Sequence, residues 1–154
     1  MLILEIRRPA RKSLFGPHRI KSSHGNFIIQ VYDSNQMVSS IFDPNSFKMA
    51  QREGWDSVAG GWKEWWGPIE KGAQKLSQRL IELAEIKPGQ RVLDIATGIG
   101  EPSITAAKVV GTGGHVLATD ISRQMLATAK ERATSLRMQD IIEFRESDAE
   151  SLDL

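Results

Sequence analysis

The chain has 154 residues, of which 40% are hydrophobic and 25% charged, so it can bury a core and is not disordered by composition. It contains no cysteine, which excludes disulfides, thiolate metal sites and cysteine nucleophiles. The formal net charge of +1 argues against nucleic acid and anionic membranes as partners, and no apolar run approaches the roughly 18 residues of a membrane span, so we expect a cytoplasmic protein.

Residues 1–45 form a basic N-terminal stretch, with six Arg and Lys against three acidic residues and no sustained period. A nucleic-acid arm, an organellar transit segment and an extension without a role are the alternatives. We expect a poorly ordered extension. Within it, Phe27–Tyr32 has the composition of a short strand, but nothing nearby completes a hairpin pattern.

Residues 46–86 are expected to form a helical, tryptophan-rich lid. Three of the four tryptophans in this segment are spaced seven and four positions apart: Trp55, Trp62 and Trp66. Gly60 and Gly61 interrupt the helix that this spacing would otherwise indicate. Apolar residues then recur at helical spacing from Pro68 to Glu85, which predicts a helix. The tryptophans either pack in a core or form an aromatic lid over a cofactor or an apolar acceptor.

Strands and helices alternate in residues 87–154. Strands are predicted at Arg91–Ile95, His115–Thr119 and Ile141–Arg145, and helices at Pro102–Val110 and from Ser122 to about Arg137. A glycine-rich turn at Gly111–Gly114 separates the first helix from the second strand. This alternation predicts βαβ units, right-handed crossovers and a parallel sheet.

The first strand leads into Asp94-Ile95-Ala96-Thr97-Gly98-Ile99-Gly100. An acid at a strand end, followed by a Gly-x-Gly turn into a helix, is typical of a nucleotide site, because glycine lets the backbone approach a ligand closely. Asp94 suits the ammonium group of an amino acid. Asp120 closes the second strand, where a carboxylate can accept both hydroxyls of a ribose.

The loop after the third strand supplies a further acid. Asp148 could accept a hydrogen bond from an adenine amine, and the backbone N–H of Ala149 could donate to the ring beside it. The three loops lie side by side in a parallel sheet, so one elongated ligand could touch all of them. A dinucleotide site is the nearest rival, but Ser103 stands where its third glycine would be, and Asp94 would repel a pyrophosphate.

Other site chemistries find less support. A Walker-type phosphate loop is rejected because its Gly-Lys-Ser/Thr is missing. His18, His24 and His115 show no ligand spacing, so we expect no metal site.

Three segments carry a resemblance to a known family: Val92–Gly100, His115–Ser122 with Met125 and Leu126 following, and Phe144–Leu152. They resemble, in order, the first motif, the second motif and the adenine loop of class I S-adenosylmethionine-dependent methyltransferases. The similarity is greatest to the ubiquinone/menaquinone-biosynthesis-like (methyltransferase type 11-like) group, and it covers roughly Phe47 to Leu154. It implies a Rossmann-like three-layer α/β/α parallel sheet, here truncated after the third strand.

The resemblance implies S-adenosyl-L-methionine as the cofactor. Its implied contacts are Asp94, Ala96, Gly98 and Gly100 for the methionine part, Asp120 for the ribose hydroxyls, Ile121 for the adenine face, and Asp148 and Ala149 for the adenine edge. Ile99 departs from the small or hydroxylic residue frequent at its position. No general base can be assigned in this half of the family's domain.

The implied function is methyl transfer to a small-molecule acceptor, with a quinone precursor as one candidate. A non-catalytic nucleoside-binding fragment or module, and a NAD-binding Rossmann domain, are the alternatives. The family's fourth strand, which would pair with Arg91–Ile95, is not in the sequence. We therefore expect an unpaired edge at that strand and self-association through it.

Overall fold

The computed structural model describes residues 2–5, 27–33 and 36–152. Its strands are β1 (Leu2–Glu5), β2 (Phe27–Asp33), β3 (Gln36–Phe42), β4 (Arg91–Ile95), β5 (His115–Asp120) and β6 (Ile142–Glu146). Its helices are α1 (Pro44–Glu64), α2 (Trp66–Leu83), α3 (Ser103–Val110) and α4 (Arg123–Ser135), with a single 3-10 turn at Gly111–Gly113. Residues 8–52 form one compact unit, and residues 1–7 and 53–154 form the other.

The parallel sheet predicted from the alternating pattern is confirmed. Strands β4, β5 and β6 are neighbours in that order and run parallel, with Val92, Val116 and Ile142 in register. Each of these three strands starts and ends within one residue of its prediction, because its apolar run is bounded by turn residues on both sides. Helix α3 begins one residue later than predicted, since Pro102 is its N-cap and not its first helical residue.

The outer edge of β4 is paired, so the predicted open edge is wrong. Strand β1 lies antiparallel to β4, with Leu2 opposite Ile95 and Glu5 opposite Val92. A buried strand with one row of unpaired N–H and C=O groups is costly, and β1 satisfies that row. Leu2–Leu4 was not predicted as a strand because three apolar residues are too few to show a period. The prediction of self-association depended on an open edge at β4, so the reason given for it no longer holds.

Residues 8–52 contain a hairpin that the sequence did not predict. Strands β2 and β3 pair antiparallel from Phe27 opposite Phe42 to Asp33 opposite Gln36. The apolar residues of β3 come in adjacent pairs and not in alternation, so the two-residue period of a strand is absent from its sequence. The rest of the predicted basic extension, residues 1, 6–26 and 34–35, lies outside the described residues, and so do His18 and His24.

The main core lies between the parallel strands and helices α2, α3 and α4. Its buried members include Val92, Val116 and Ile142 from the three strands, and Ile104 and Val110 from α3. Alternate strand residues point to the same face of a sheet, so the residues in register form one continuous apolar surface beneath the helices. This packing fixes the carboxyl ends of β4, β5 and β6 beside one another.

Helix α1 runs through Gly60 and Gly61 without a break, contrary to the predicted interruption. Both glycines are exposed, and the helix is instead held by contacts on its other side. Asp56 accepts a hydrogen bond from Ser122 at 2.5 Å, and Lys63 forms an ion pair with Glu131. Tertiary contacts outweigh the weak helix propensity of glycine here. None of the helices in the described part of the chain is both long and apolar enough to cross a membrane.

Candidate functional site

Asp94 lies near the carboxyl end of β4 and is 1% exposed. Its Oδ2 accepts a hydrogen bond from the Ser103 hydroxyl at 2.7 Å, and that hydroxyl accepts one from Thr97 at 3.0 Å. Its Oδ1 is buried and has no hydrogen-bond partner among the described residues. Burial raises the pKa of Asp94 to about 6, although the hydrogen bond from Ser103 opposes the rise. A buried carboxylate with one oxygen still available suits a cationic group.

The loop after β4 adopts backbone conformations that few side chains tolerate. Ala96, Gly98 and Gly100 have φ angles of 61°, 57° and 100°. A Cβ on Gly98 would meet nothing within 4 Å, whereas a Cβ on Gly100 would lie 3.2 Å from both Ala129 and Ile104. Gly98 therefore borders open space, and Gly100 lets the loop pack closely on α4. Left-handed Ala96 is a strained position of the kind that clusters at binding sites.

Asp120 ends β5 and is held by backbone groups on both sides. Its Oδ2 accepts from the N–H of Gly98 at 2.8 Å, and its Oδ1 accepts from the N–H of Ser122 at 2.9 Å. Each carboxylate oxygen has a second lone pair, so both can still accept from a ligand hydroxyl. The carboxylate is thus fixed in place and tied directly to the glycine loop.

The loop after β6 lies beside the end of β5. The N–H of Ser147 donates to the carbonyl of Asp120 at 2.9 Å, and Asp148 accepts from the N–H of Glu150 at 2.9 Å in a tight turn. Ala149 is exposed and Ile121 is half-buried. The structure therefore brings the three predicted loops together at one edge of the sheet. The ligand contacts assigned to the individual residues stay predictions.

Two sets of contacts around these loops were not predicted from the sequence. Arg132 of α4 reaches the glycine loop, where it donates to the carbonyl of Ile99, and its guanidinium lies 3.6 Å from the centre of the Trp66 ring. Asp56 of α1 accepts from the Ser122 hydroxyl and, at 3.1 Å, from the N–H of Gln124. Both sets join residues more than thirty positions apart, and no local pattern indicates such pairs.

The tryptophans named in the sequence analysis differ in their packing. Trp66 packs against a small buried cluster formed by Ala59, Ile99 and Met125, so it has a packing role. Trp55 and Trp62 on α1 are exposed. His115 opens β5, and its Nε2 lies 3.5 Å from Oε2 of Glu143.

The hydrogen-bond acceptors of the site fit a nucleoside that carries an amino acid. Asp94, Asp120 and Asp148 are all acidic, and a phosphate group would be repelled by them. Among the described residues no cluster of three or more potential metal ligands occurs.

Comparison with known proteins indicates a methyltransferase domain in this region. Residues 86–154, less than half of the chain, match a methyltransferase domain family. The solved DhpI–SAM–HEP complex shares the fold of this domain, with a TM-score of 0.51 and 20% identity over 70% of this chain and 45% of that chain. This likeness confirms the predicted Rossmann-like class.

Curated relatives of the methyltransferase domain include two bacterial enzymes of the same name. The chain is 36% identical over 85 residues to the ubiquinone/menaquinone biosynthesis C-methyltransferase UbiE of Ectopseudomonas mendocina. It is 38% identical over 85 residues to the enzyme of that name from Pseudomonas fluorescens. The match covers 54% of this chain and 33% of each relative, so the chain spans about a third of the length of these relatives.

Proposed function

We propose that this chain supplies the cofactor-binding half of an S-adenosylmethionine-dependent methyltransferase. The observation that carries the proposal is Asp94, whose buried carboxylate has one oxygen fixed by Ser103 and the other without a hydrogen-bond partner among the described residues. An ammonium group beside the free oxygen would satisfy it and stabilise its charged form. The methionine part of the cofactor carries such a group.

The remaining contacts of the proposed site follow from the neighbouring loops. Asp120 would accept from the ribose hydroxyls, with Ile121 packed on the adenine face, and Asp148 and Ala149 would bind the adenine edge. The bound cofactor supplies an activated methyl group on a sulfonium. Methyl transfer of this kind depends mainly on how the two reactants are placed, so the role of these residues is to bind and orient.

The acceptor is proposed to be a small molecule with apolar character. The names of the UbiE relatives support a quinone precursor, and the exposed side chains of Trp55 and Trp62 provide aromatic surface on α1. The exclusion of nucleic acid and a cytoplasmic location stay predictions from the sequence.

The first test is calorimetric titration of the chain with S-adenosylhomocysteine. Asp120→Ala should weaken binding by ~1.5–3 kcal/mol, the usual loss for charge-assisted hydrogen bonds. Asp140→Ala is the control, because Asp140 is an exposed carboxylate outside the three loops. Equal affinities for the wild-type chain and Asp120→Ala would refute the ribose assignment. Saturable NAD binding that competes with S-adenosylhomocysteine would favour the dinucleotide alternative.

A second measurement separates an enzyme from a non-catalytic binding module. Transfer of a labelled methyl group from the cofactor to a demethylated quinone precursor is followed with the chain and with Asp120→Ala. If the wild-type chain transfers the methyl group and Asp120→Ala lowers turnover together with cofactor affinity, the result supports an enzyme. Tight cofactor binding without transfer to any of a panel of small acceptors supports the binding module.

A further inference from the structure

Arg132 is a largely buried cation on α4, with its side chain 14% exposed. It donates to the carbonyl of Ile99, and its guanidinium lies over the ring of Trp66 with 3.6 Å between the guanidinium carbon and the ring centre. Glu101 lies 3.5 Å from its Nη2, and Glu70 lies 4.0 Å from the same atom. One side chain thus joins α4, α2 and the glycine loop.

The side chain of Ile99 is held by a second set of contacts. It is buried against Ala59 of α1 and Met125 of α4, with Trp66 packed on this cluster. Ile99 stands between Gly98 and Gly100, two positions with left-handed backbone that have little stiffness of their own. The position of the loop is therefore set by its contacts with Arg132 and with this cluster.

We propose that Arg132, braced by Trp66, is a positioning residue for the part of the loop that would receive the methionine moiety of the cofactor. This inference rests on the proposed function. Arg132 touches no predicted ligand group, and it acts through the carbonyl of Ile99 and through Glu101. A planar guanidinium suits this role, because it can donate to the carbonyl and the carboxylate while its face stacks on an indole.

The effect should be confined to one half of the cofactor. A shift of the glycine loop can remove the hydrogen bond from Gly98 to Asp120, but Asp120 keeps the one from Ser122, at 2.9 Å on the neighbouring loop. Asp94 shares the strand and the turn that lead into residues 97–100, so its oxygen and the loop must be aligned together to receive an ammonium group. Arg132 variants should therefore affect ligands with an amino-acid tail more than ligands without one.

The test compares two ligands by calorimetry: S-adenosylhomocysteine, and 5′-deoxy-5′-methylthioadenosine, which lacks the amino-acid part. Arg132→Met should weaken S-adenosylhomocysteine binding about tenfold, the loss of roughly one charge-assisted hydrogen bond, with methylthioadenosine affinity changed less than about threefold. Lys130→Met is the matched control, because Lys130 is an exposed cation two positions away on the same helix. Trp66→Leu should reproduce the selective loss, and Arg132→Lys should restore part of it.

Each result decides the question. A similar loss for both ligands would show general loosening of the domain and overturn the inference, as would unchanged affinity for both. If Arg132→Met does not fold, Arg132→Lys and Trp66→Phe carry the same comparison of the two ligands. Failure of the wild-type chain to bind S-adenosylhomocysteine would instead overturn the proposed function, and the inference with it.

Discussion

At the scale of single residues, protonation of Asp94 has opposite effects on ligand binding and on the stability of the fold. Its carboxyl is buried with one oxygen lacking a partner among the described residues, and burial raises its pKa from 3.8 to about 6. The folded protein therefore binds this proton more tightly than the unfolded chain does. The stability contributed by the group is complete below pH 3.8 and is lost as the pH rises through 6. A cationic ligand needs the charged form that burial disfavours.

This opposition gives a prediction for Asp94→Asn. The free energy of unfolding of the wild-type chain, measured relative to this variant, should increase by about 2 kcal/mol between pH 8 and pH 4. Urea denaturation of both proteins across this range is the measurement. The affinity of the wild-type chain for S-adenosylhomocysteine should instead decrease as the pH is lowered below 6, because the charged form of Asp94 is lost. A stability difference that does not vary with pH would contradict the assignment of the raised pKa.

At the scale of elements, the turn between α3 and β5 depends on Gly114. An added Cβ there would lie 2.5 Å from the Cβ of Val110 and 2.7 Å from the carbonyl oxygen of Gln90. Gly114→Ala should therefore destabilise the protein by about 1–3 kcal/mol, the usual effect of overpacking, as measured by chemical denaturation.

The neighbouring glycine provides the matched control for this turn. A Cβ on Gly113 would meet only the Cα of Gly89, at 3.9 Å. Gly113→Ala should have less than about half of the effect of Gly114→Ala, since it makes an ordinary van der Waals contact. Equal losses for the two variants would point to glycine flexibility in the turn and not to the close approach of α3.

The elements also show how far the sequence can predict the structure. Strands β4, β5 and β6 and the cap of α4 at Ser122 could be predicted, because each depends on residues that are near one another in the chain. The alignment of the three loops could also be predicted, because loops that follow neighbouring parallel strands lie side by side at one edge of the sheet. Strand β1 is too short to show a period, and β3 does not alternate, so neither was predicted.

The site could be predicted in the same way, up to the point where tertiary contacts decide it. The acids at the strand ends were identified from their positions alone. The hydrogen bond from Ser103 to Asp94 and the stacking of Arg132 on Trp66 depend on how α3, α4 and α2 pack. The sequence marks Ser103 only as the residue in place of a third glycine, whereas in the structure its hydroxyl donates to Oδ2 of Asp94.

At the scale of the whole molecule, β1 closes one edge of the sheet. Removal of residues 1–5 should expose the row of backbone groups on β4 that now pairs with Leu2–Glu5. The shortened chain should self-associate at concentrations at which the full chain does not, as measured by sedimentation velocity of both. A shortened chain that stays monomeric with unchanged thermal stability would show that this pairing contributes little.

From the pairing of β1 with β4 we also expect an order of folding. Strands β4 and β5 pair across 24 positions of the chain, whereas Glu5 and Val92 lie 87 positions apart. Closing a longer loop loses more chain entropy, and contacts between distant residues form slowly. The three parallel strands should therefore assemble first, and the antiparallel strand should join them last. Until it does, a chain emerging from the ribosome presents a bare strand, and this interval is when a nascent molecule most needs protection from its neighbours.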